Sequence, residues 1–575
     1  MLESAEPTQP TPEETAIDQI GGEVFSLWSS MDQTAASMVG GITERIASPL
    51  PSDSERVTSK AVGWDVRLDA IDPDGLRSTA ELTRRFLRFE IDKLAQASKL
   101  HRFDLQITPY RIGFTLAEVH HHLKSFSFAN SAHLERYAAL VRQYHVFLAA
   151  TLDDLRQQVA EGIVVPASAL PGCLGAIKGL AAAVVQNVRV TSERLAHIPQ
   201  AQRAAFSGRL ERDLEGLRAA FSELTGYIEG DYCRKATARL GLFQYAGGRD
   251  AYDTLIHHHT TLPLSADELH RRGVDLVREI EEDMAAVRSQ LGFEGSRSDF
   301  LQQIKSNPRF YCETADEMEQ LYLKYMRKCE AAIPKAFGKQ TFPRYGVKRL
   351  AAESEGGMTF GYYQPVGLAR GDVGCYLYNG SNLDQRSTIS AAAVIYHELV
   401  PGHHLHLSTE MGNASRSLVR RLPTITAFSE GWAEYASDLG FELGLYEDPY
   451  DRYGRYLIQV FAASRMVVDT GLNALGWTAQ RARDYLLEHT AQSLTEIESE
   501  ILRYGAAMPG QALAYAPGRL QFWQARRAAE QRMGSRFELS AFHRVILNGG
   551  SLPLMDLSFS VERWSSSDLN TEKAQ

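Results

Sequence analysis

The sequence predicts a mainly α protein with one small β element just before its most chemically loaded helix. Three observations predict it. Apolar residues recur at three- and four-residue spacing along most of the chain, as in helices that bury one face. Two short aromatic-rich runs bounded by glycine, 358–364 and 374–379, interrupt that texture. Beyond Thr388 the helical spacing resumes almost to the end.

Taken in order, residues 1–18 are acidic and rich in Pro and Thr and read as a disordered tail. A helical region follows over 19–350, with helices predicted over 80–100, 133–162, 191–226 and 266–291. Ser265 with Asp267 and Glu268 marks a helix start, the serine capping and the acids suiting the dipole. The two aromatic runs read as strands of a loose hairpin. Residues 351–565 read as a second region, which carries the two aromatic runs and the histidine-rich segment beyond them, and 566–575 as a polar, flexible tail. No Gly/Ser- or Pro-rich linker intervenes, so 19–565 reads as one integrated unit.

Apolar residues make up 44% and charged residues 23% of the 575, enough to bury an ordinary core. The formal net charge is −10 and the basic residues are not clustered. That excludes nucleic acid as the main partner, because neutralising phosphates needs grouped Lys and Arg. Five scattered cysteines with no Cys-x-x-Cys pair argue for free thiols in a reducing compartment. The N-terminal residues lack a basic-then-apolar leader pattern, and the most apolar run, 179–185, is too short to span a bilayer. The expectation is a cytoplasmic protein with no membrane partner, a monomer or a homodimer.

The chemistry concentrates in Tyr396-His-Glu-Leu-Val-Pro-Gly-His-His-Leu-His406, which follows an apolar run. In the His-Glu-x-x-His pattern of zinc peptidases, both imidazoles lie one turn apart and the Glu is the general base. Here the position four beyond His397 is Pro401. On an unbroken helix His403 stands about 120° off the His397 face, and His404 about 10 Å away along the axis. Neither suits one ion held at ~2.0–2.1 Å by two nitrogens. Pro401 removes a helical hydrogen bond, and Gly402 tolerates unusual dihedrals. Looping out two residues brings His403 to the second ligand position; His404, which needs a different distortion, is the alternative.

Glu430, in Ala427-Phe-Ser-Glu-Gly-Trp-Ala-Glu-Tyr-Ala436, supplies the third ligand and leaves a position for water. Glu434 and Asp438 share its helix face, and Glu434 either steadies a ligand histidine or replaces Glu430. Four histidines and a glutamate on an apolar helix would be costly without such partners. The clusters 120–122 and 257–259 lack a breaker and a matching acidic helix and read as structural. Zinc is the expected ion, though manganese or iron also suits two His and one Glu.

These blocks resemble the bacterial domain-of-unknown-function family 885, a zinc-metallopeptidase-like group. The likeness runs from Tyr396–His406 through Phe428-Ser-Glu-Gly-Trp-Ala-Glu-Tyr435, Ser464-Arg-Met-Val-Val-Asp-Thr-Gly-Leu472, Gly476-Trp-Thr478 and Pro509-Gly-Gln-Ala-Leu-Ala-Tyr515, and covers roughly 230–550. The resemblance implies a large helical gluzincin-like fold, with two lobes around a deep cleft. It also implies zinc on His397, His403 and Glu430, with Glu398 as base. The chain departs from the family at three places: Asn473 stands for a usual His, His406 for a usual Gln, and Ala516 for a common Lys.

The function expected is zinc-dependent hydrolysis, most simply a metallopeptidase on short peptides, with the helical N-terminal half roofing the cleft against folded proteins. Zinc lowers the pKa of bound water and polarises the scissile carbonyl. Glu398 takes the water proton and returns it to the leaving amine. Tyr515 is the first choice to steady the oxyanion, Arg519 or Arg465 the second. Arg465 is alternatively a grip for a substrate carboxylate, or a partner of Asp469 one turn on. One of Tyr362 and Tyr363 faces the cleft, on a strand able to align a peptide through its main chain. Asn473 counts among the substrate contacts; His404, His406, Asp469 and Glu434 support the ligands. Two alternatives stand beside this reading. One is a metal-dependent amide or ester hydrolase, or a biosynthetic enzyme, on a non-peptide small metabolite, which Asn473 favours. The other is a metal-binding scaffold without catalysis, which an intact Glu398 disfavours.

Overall fold

The first helix, α1 (Pro12–Met31), overturns part of the expected disordered tail. Ile17, Ile20, Val24 and Leu27 recur at helical spacing and are buried, and Glu14 pairs with Arg77 at 2.5 Å. Composition averaged over 1–18 conceals this stripe, because its first apolar member is Ile17. The computed structural model describes residues 9–31, 35–36, 46, 51–339, 341–351, 355, 361–366 and 373–572, with side chains to 566. Residues 1–8 of the predicted tail lie outside these.

The chain is mainly α, and its described strands form one three-stranded sheet. The predicted helix over 80–100 breaks at Gln96 into Ser78–Ala95 and Ala97–His101. That over 133–162 is α2 (Ala132–Glu161), closed by Gly162 in the left-handed region at φ 74°. The one over 191–226 begins only at Gln200, giving α3 (Gln200–Tyr227). Before it the chain turns so that Arg194 donates to the carbonyls of Leu123 and Phe126, contacts a continuous helix would forgo. Ser265 opens α4 (Ala266–Gln290) with a capping box to Glu268.

Before α3, the stretch Ala167–Val188 is long and apolar enough to cross a membrane by length and composition, with mean hydropathy 1.6. The sequence reading understated it, because Gly and Ala extend the apolar window beyond 179–185. Its helix, Leu170–Val188, packs on Ile112–Ser125 and α3.

After α5 (Ala315–Phe337) come β1 (Tyr345–Arg349), β2 (Tyr362–Gln364) and β3 (Gly374–Tyr378). β2 and β3 pair antiparallel, with Tyr363 opposite Tyr376, as in a hairpin. Residues 358–360 of the first predicted strand lie outside the described residues. β1, which the sequence reading missed, pairs parallel with β3, so β2 is an edge. Six further helices build the rest of the site: α6 (Ala391–Glu398), α7 (His403–Gly412), α8 (Thr426–Glu442), α9 (Pro449–Asn473), α10 (Leu494–Leu502) and α11 (Tyr515–Met533). The closing helix Leu554–Glu572 carries the backbone of the predicted flexible tail to 572, and 573–575 lie outside.

Two apolar cores result. One gathers residues from 103–310 around α9. The other joins α1, Ser78–Ala95, α5 and the sheet to α6, α7 and α8. The helices α1 and Ser78–Ala95 therefore pack with the metal-region helices, and position 350 does not divide two packing units.

Candidate metal centre

The helix carrying His397 stops one residue later. Leu399 leaves helical geometry at φ −101°, ψ −132°, and Gly402 sits at φ −78°, ψ −125° before α7 begins at His403. A Cβ on Gly402 would stand 1.8 Å from the carbonyl oxygen of His397, so only glycine fits this fold-back. Trp432 Nε1 donates to the Pro401 carbonyl at 2.9 Å and clips the loop to α8. The result brings the rings of His397 and His403 to 4.8 Å, nearly perpendicular.

The approach of α8 completes the cluster. It packs closely on α11 because Gly431 faces Gly518, where a Cβ on Gly431 would lie 2.6 Å from the Gly518 Cα. Glu430 Oε2 then stands 3.6 Å from His397 Nε2 and 3.4 Å from His403 Nε2. The three potential ligand atoms all lie within 4.8 Å of one another. Two imidazole nitrogens and one carboxylate oxygen, open to a cavity on the remaining side, fit a zinc-like divalent ion that keeps a coordination position free.

A buried relay backs this cluster. His397 Nδ1 lies 3.2 Å from Glu434 Oε1, and Glu434 Oε2 accepts from Arg455 at 2.8 Å. Arg455, fully buried, also donates to Asp438, which accepts further from Gln459, Arg519 and Trp523. Behind His403, Ser429 Oγ stands 3.4 Å from Nδ1.

Burial would raise the Glu434 carboxyl, but the Arg455 charge and His397 hold it down at about 2. Asp438 is likewise about 2, burial being outweighed by Arg519 and Arg455. Glu430 is depressed too, because its contacts with His397 and His403 overcome burial. Burial depresses His397, yet Glu430 and Glu434 together raise it well above the usual histidine value. Glu398 goes the other way: burial raises it, opposed by the two histidines. The Tyr363 backbone N–H, on β2, also reaches the Glu398 carboxylate.

A cavity of ≈ 460 Å³ opens over this cluster, and His397, Glu398, His403 and Glu430 line it. Tyr362, 44% exposed, and the buried Tyr363 both line it, where one alone was expected to face the cleft. Every lining residue among those described lies at or beyond Gly361, so no described residue of the N-terminal half lines the cavity. From that half, α4 packs along α9. A more open hollow of ≈ 510 Å³ by Phe342–Tyr345 contains no histidine.

The other predicted residues divide. Tyr515 and Arg465 line the cavity. Arg465 pairs with Glu500 at 3.2 Å rather than with Asp469. His404 faces away from the ligand cluster, with Nδ1 2.8 Å from the Tyr363 hydroxyl and Nε2 3.1 Å from the Pro343 carbonyl. The helix restarts at His403, which turns the following ring to another face. His406 is buried against Glu410 at 2.8 Å and Ser551 at 3.1 Å, remote from the ligands. Asn473 is fully buried and bonds to Leu242, Asp469 and Tyr504, so it is a core polar bridge and not a cavity contact. Asp469 accepts from Tyr252, Gly510 and Asn473 and does not touch the ligand histidines. Arg519 spends its Nε on Asp438, behind Glu434. Sequence reasoning missed Arg455 and Arg503. Arg455 had a partial signal in its spacing from Gln459 one turn on, which bonds the same Asp438; Arg503 had only its spacing from Glu500.

The model of a family described as bacterial protein of unknown function (DUF885) matches residues 34–561, well beyond the roughly 230–550 of the resemblance. A solved structure described as "putative lipoprotein" from Colwellia psychrerythraea is similar at 21% identity and TM-score 0.83, covering 96% of this chain and 99% of its own. Another, a "putative lipoprotein of unknown function" from Shewanella oneidensis, is similar at 16% identity and TM-score 0.75, covering 94% and 98%. These likenesses concern the fold. No curated protein matches the chain.

Proposed function

The chain belongs to that bacterial family, DUF885, and on this premise we propose that it is a zinc-dependent hydrolase of gluzincin type, a metallopeptidase for short peptides. One observation carries the reading: His397, His403 and Glu430 converge within 4.8 Å on a cavity that Glu398 also lines. A bound zinc ion supplies Lewis acidity at that point. Glu398, its carboxyl raised by burial, takes a proton from the attacking water and delivers it to the amide nitrogen. The carbon–oxygen bond forms first and the carbon–nitrogen bond then breaks, the water giving its OH to the acyl carbon and its other proton to the leaving nitrogen. Glu434 holds the His397 ring from behind, and Tyr515 stands on the cavity wall as a donor for the developing oxyanion. The edge strand β2 offers main-chain groups to an extended peptide.

The non-peptide metabolite reading loses its main support, since Asn473 lies in the core away from the cavity. The scaffold reading leaves a buried acid beside the ligand cluster with no task.

Elemental analysis of wild type beside Glu430→Gln tests the centre: about one zinc per chain is expected in wild type and a large loss in the variant. Glu398→Gln tests the chemistry. It should keep the metal and lose peptide turnover, and full turnover in this variant would sink the mechanism.

A further inference from the structure

We propose that Arg465 and Arg503 form an anion-binding end of this cavity, and that the substrate is a peptide held there by its free C-terminal carboxylate. The inference deepens the peptidase reading and rests on it for the cleavage step.

Ile458, Phe461, Ala462 and Arg465 fall on one stripe of α9, and all line the cavity. Seven residues of helix span about 10 Å, room for about three extended residues. Arg465 ends this stripe. Its guanidinium lies 4.4 Å from the Phe461 ring centre and 4.7 Å from that of Tyr515, both cavity-lining rings. Stacking fixes the plane of the fork and leaves its edge to bind a ligand. Arg503, from the turn after α10, lines the same wall together with Gln492.

The charges do not cancel. Glu500 alone serves both arginines, at 3.2 Å from Arg465 and 3.3 Å from Arg503. Arg503 Nη2 turns to the neutral Gln511 at 2.6 Å, and Arg465 Nε to the Tyr504 hydroxyl. Arg465 Nη1 has no acceptor among the described residues. Two cations with one directly paired anion leave net positive charge on a largely enclosed wall, since Asp469, a further acid that feels the Arg503 charge, forms no ion pair with either arginine. Burying such a charge is unfavourable until an anion offsets it. If the pair only propped up α10, one arginine against Glu500 would suffice. A carboxylate matches the planar donors bidentately, and a neutral amide at the same place leaves the charge uncompensated.

The test compares N-acetyl-Ala-Ala-Phe with a free carboxylate and the same peptide as its C-terminal amide. Binding is measured by calorimetry on the zinc-loaded Glu398→Gln protein, and hydrolysis separately on wild type. The acid should bind at least about 30-fold more tightly than the amide. Adding Arg503→Gln should bring the two within about 3-fold by weakening the acid, with zinc content unchanged. Arg465→Lys is the second variant, since it keeps the charge and removes the bidentate fork. Equal affinity for acid and amide, binding of neither, or a ratio that both variants leave intact would overturn the proposal. The two readings fail separately. Tight acid binding without hydrolysis by wild type keeps the carboxylate site and sinks the peptidase. Equal kcat/KM for acid and amide does the reverse.

Discussion

Glu434 Oε1 stands 3.2 Å from His397 Nδ1 while its other oxygen accepts from Arg455 at 2.8 Å, so one carboxylate joins the candidate metal face to a fully buried cation. It fixes which nitrogen of His397 turns toward Glu430 and makes that nitrogen more basic. Glu434→Gln keeps an acceptor of the same shape but removes the charge. Zinc affinity should fall about 10–100-fold, measured by competition with a chromophoric chelator. Unchanged affinity would mean that Glu434 serves the fold alone.

The break between α6 and α7 makes a sharper demand. Alanine at 402 would place its Cβ 1.8 Å from the His397 carbonyl oxygen, so the loop must open and His403 must move. Gly402→Ala should lose most bound zinc and about 3 kcal/mol of stability. Gly412 is the control: nothing lies within 4 Å of a Cβ there, and Gly412→Ala should gain up to about 1 kcal/mol. Thermal melts with metal analysis on both proteins decide it; equal behaviour would refute the steric account.

Arg455 lies between Glu434 and Asp438, both held at about 2 by its charge and their other partners. Their folded values sit below the ordinary 4.5 and 3.8, so their stabilisation is full above about pH 4.5 and is lost as pH falls through 2. Arg455→Met leaves buried Glu434 with His397 as its one charged partner and buried Asp438 with Arg519, so each carboxylate loses a cation at neutral pH. It should cost about 3–5 kcal/mol and move acid unfolding to higher pH, followed by circular dichroism. Wild-type acid resistance in the variant would show that the relay is not what holds these carboxylates ionised.

What the sequence disclosed about this site follows from distance along the chain. Glu430, Glu434 and Asp438 repeat every fourth residue, and Pro401–Gly402 interrupts a helix at a defined point, so local geometry alone indicates that His403 joins His397. The 362–378 hairpin was legible for the same reason. β1 was not, because its parallel partner β3 begins 25 residues after β1 ends and no turn signal links them. Arg519 and Asn473 were assigned to substrate on their nearness to motifs, yet Asp438 and Leu242 claim them from 81 and 231 residues away. Arg503 escaped notice since its role depends on Arg465, 38 positions earlier, sharing Glu500 with it.

Asp469 is the remaining titratable group with a consequence. It accepts from Tyr252, Asn473 and the Gly510 N–H and pairs with no cation among the described residues; burial, opposed by those bonds and the Arg503 charge, lifts its carboxyl from 3.8 to about 7. A folded value above the unfolded one contributes stability that is complete below about pH 4 and is lost as pH rises through 7. Across that window the slope approaches 1.4 kcal/mol per pH unit, about the value of one proton. Asp469→Asn cannot ionise, and its amide oxygen still accepts from Gly510. Wild-type stability should therefore decline relative to the variant between pH 5 and 7, measured by urea unfolding at each pH. The effect should reach the cavity as well, because Gly510 opens the turn that delivers Tyr515 to the wall. A wild-type-minus-variant difference that stays constant from pH 5 to 7 would mean that Asp469 is already ionised in the folded protein, its hydrogen bonds outweighing its burial.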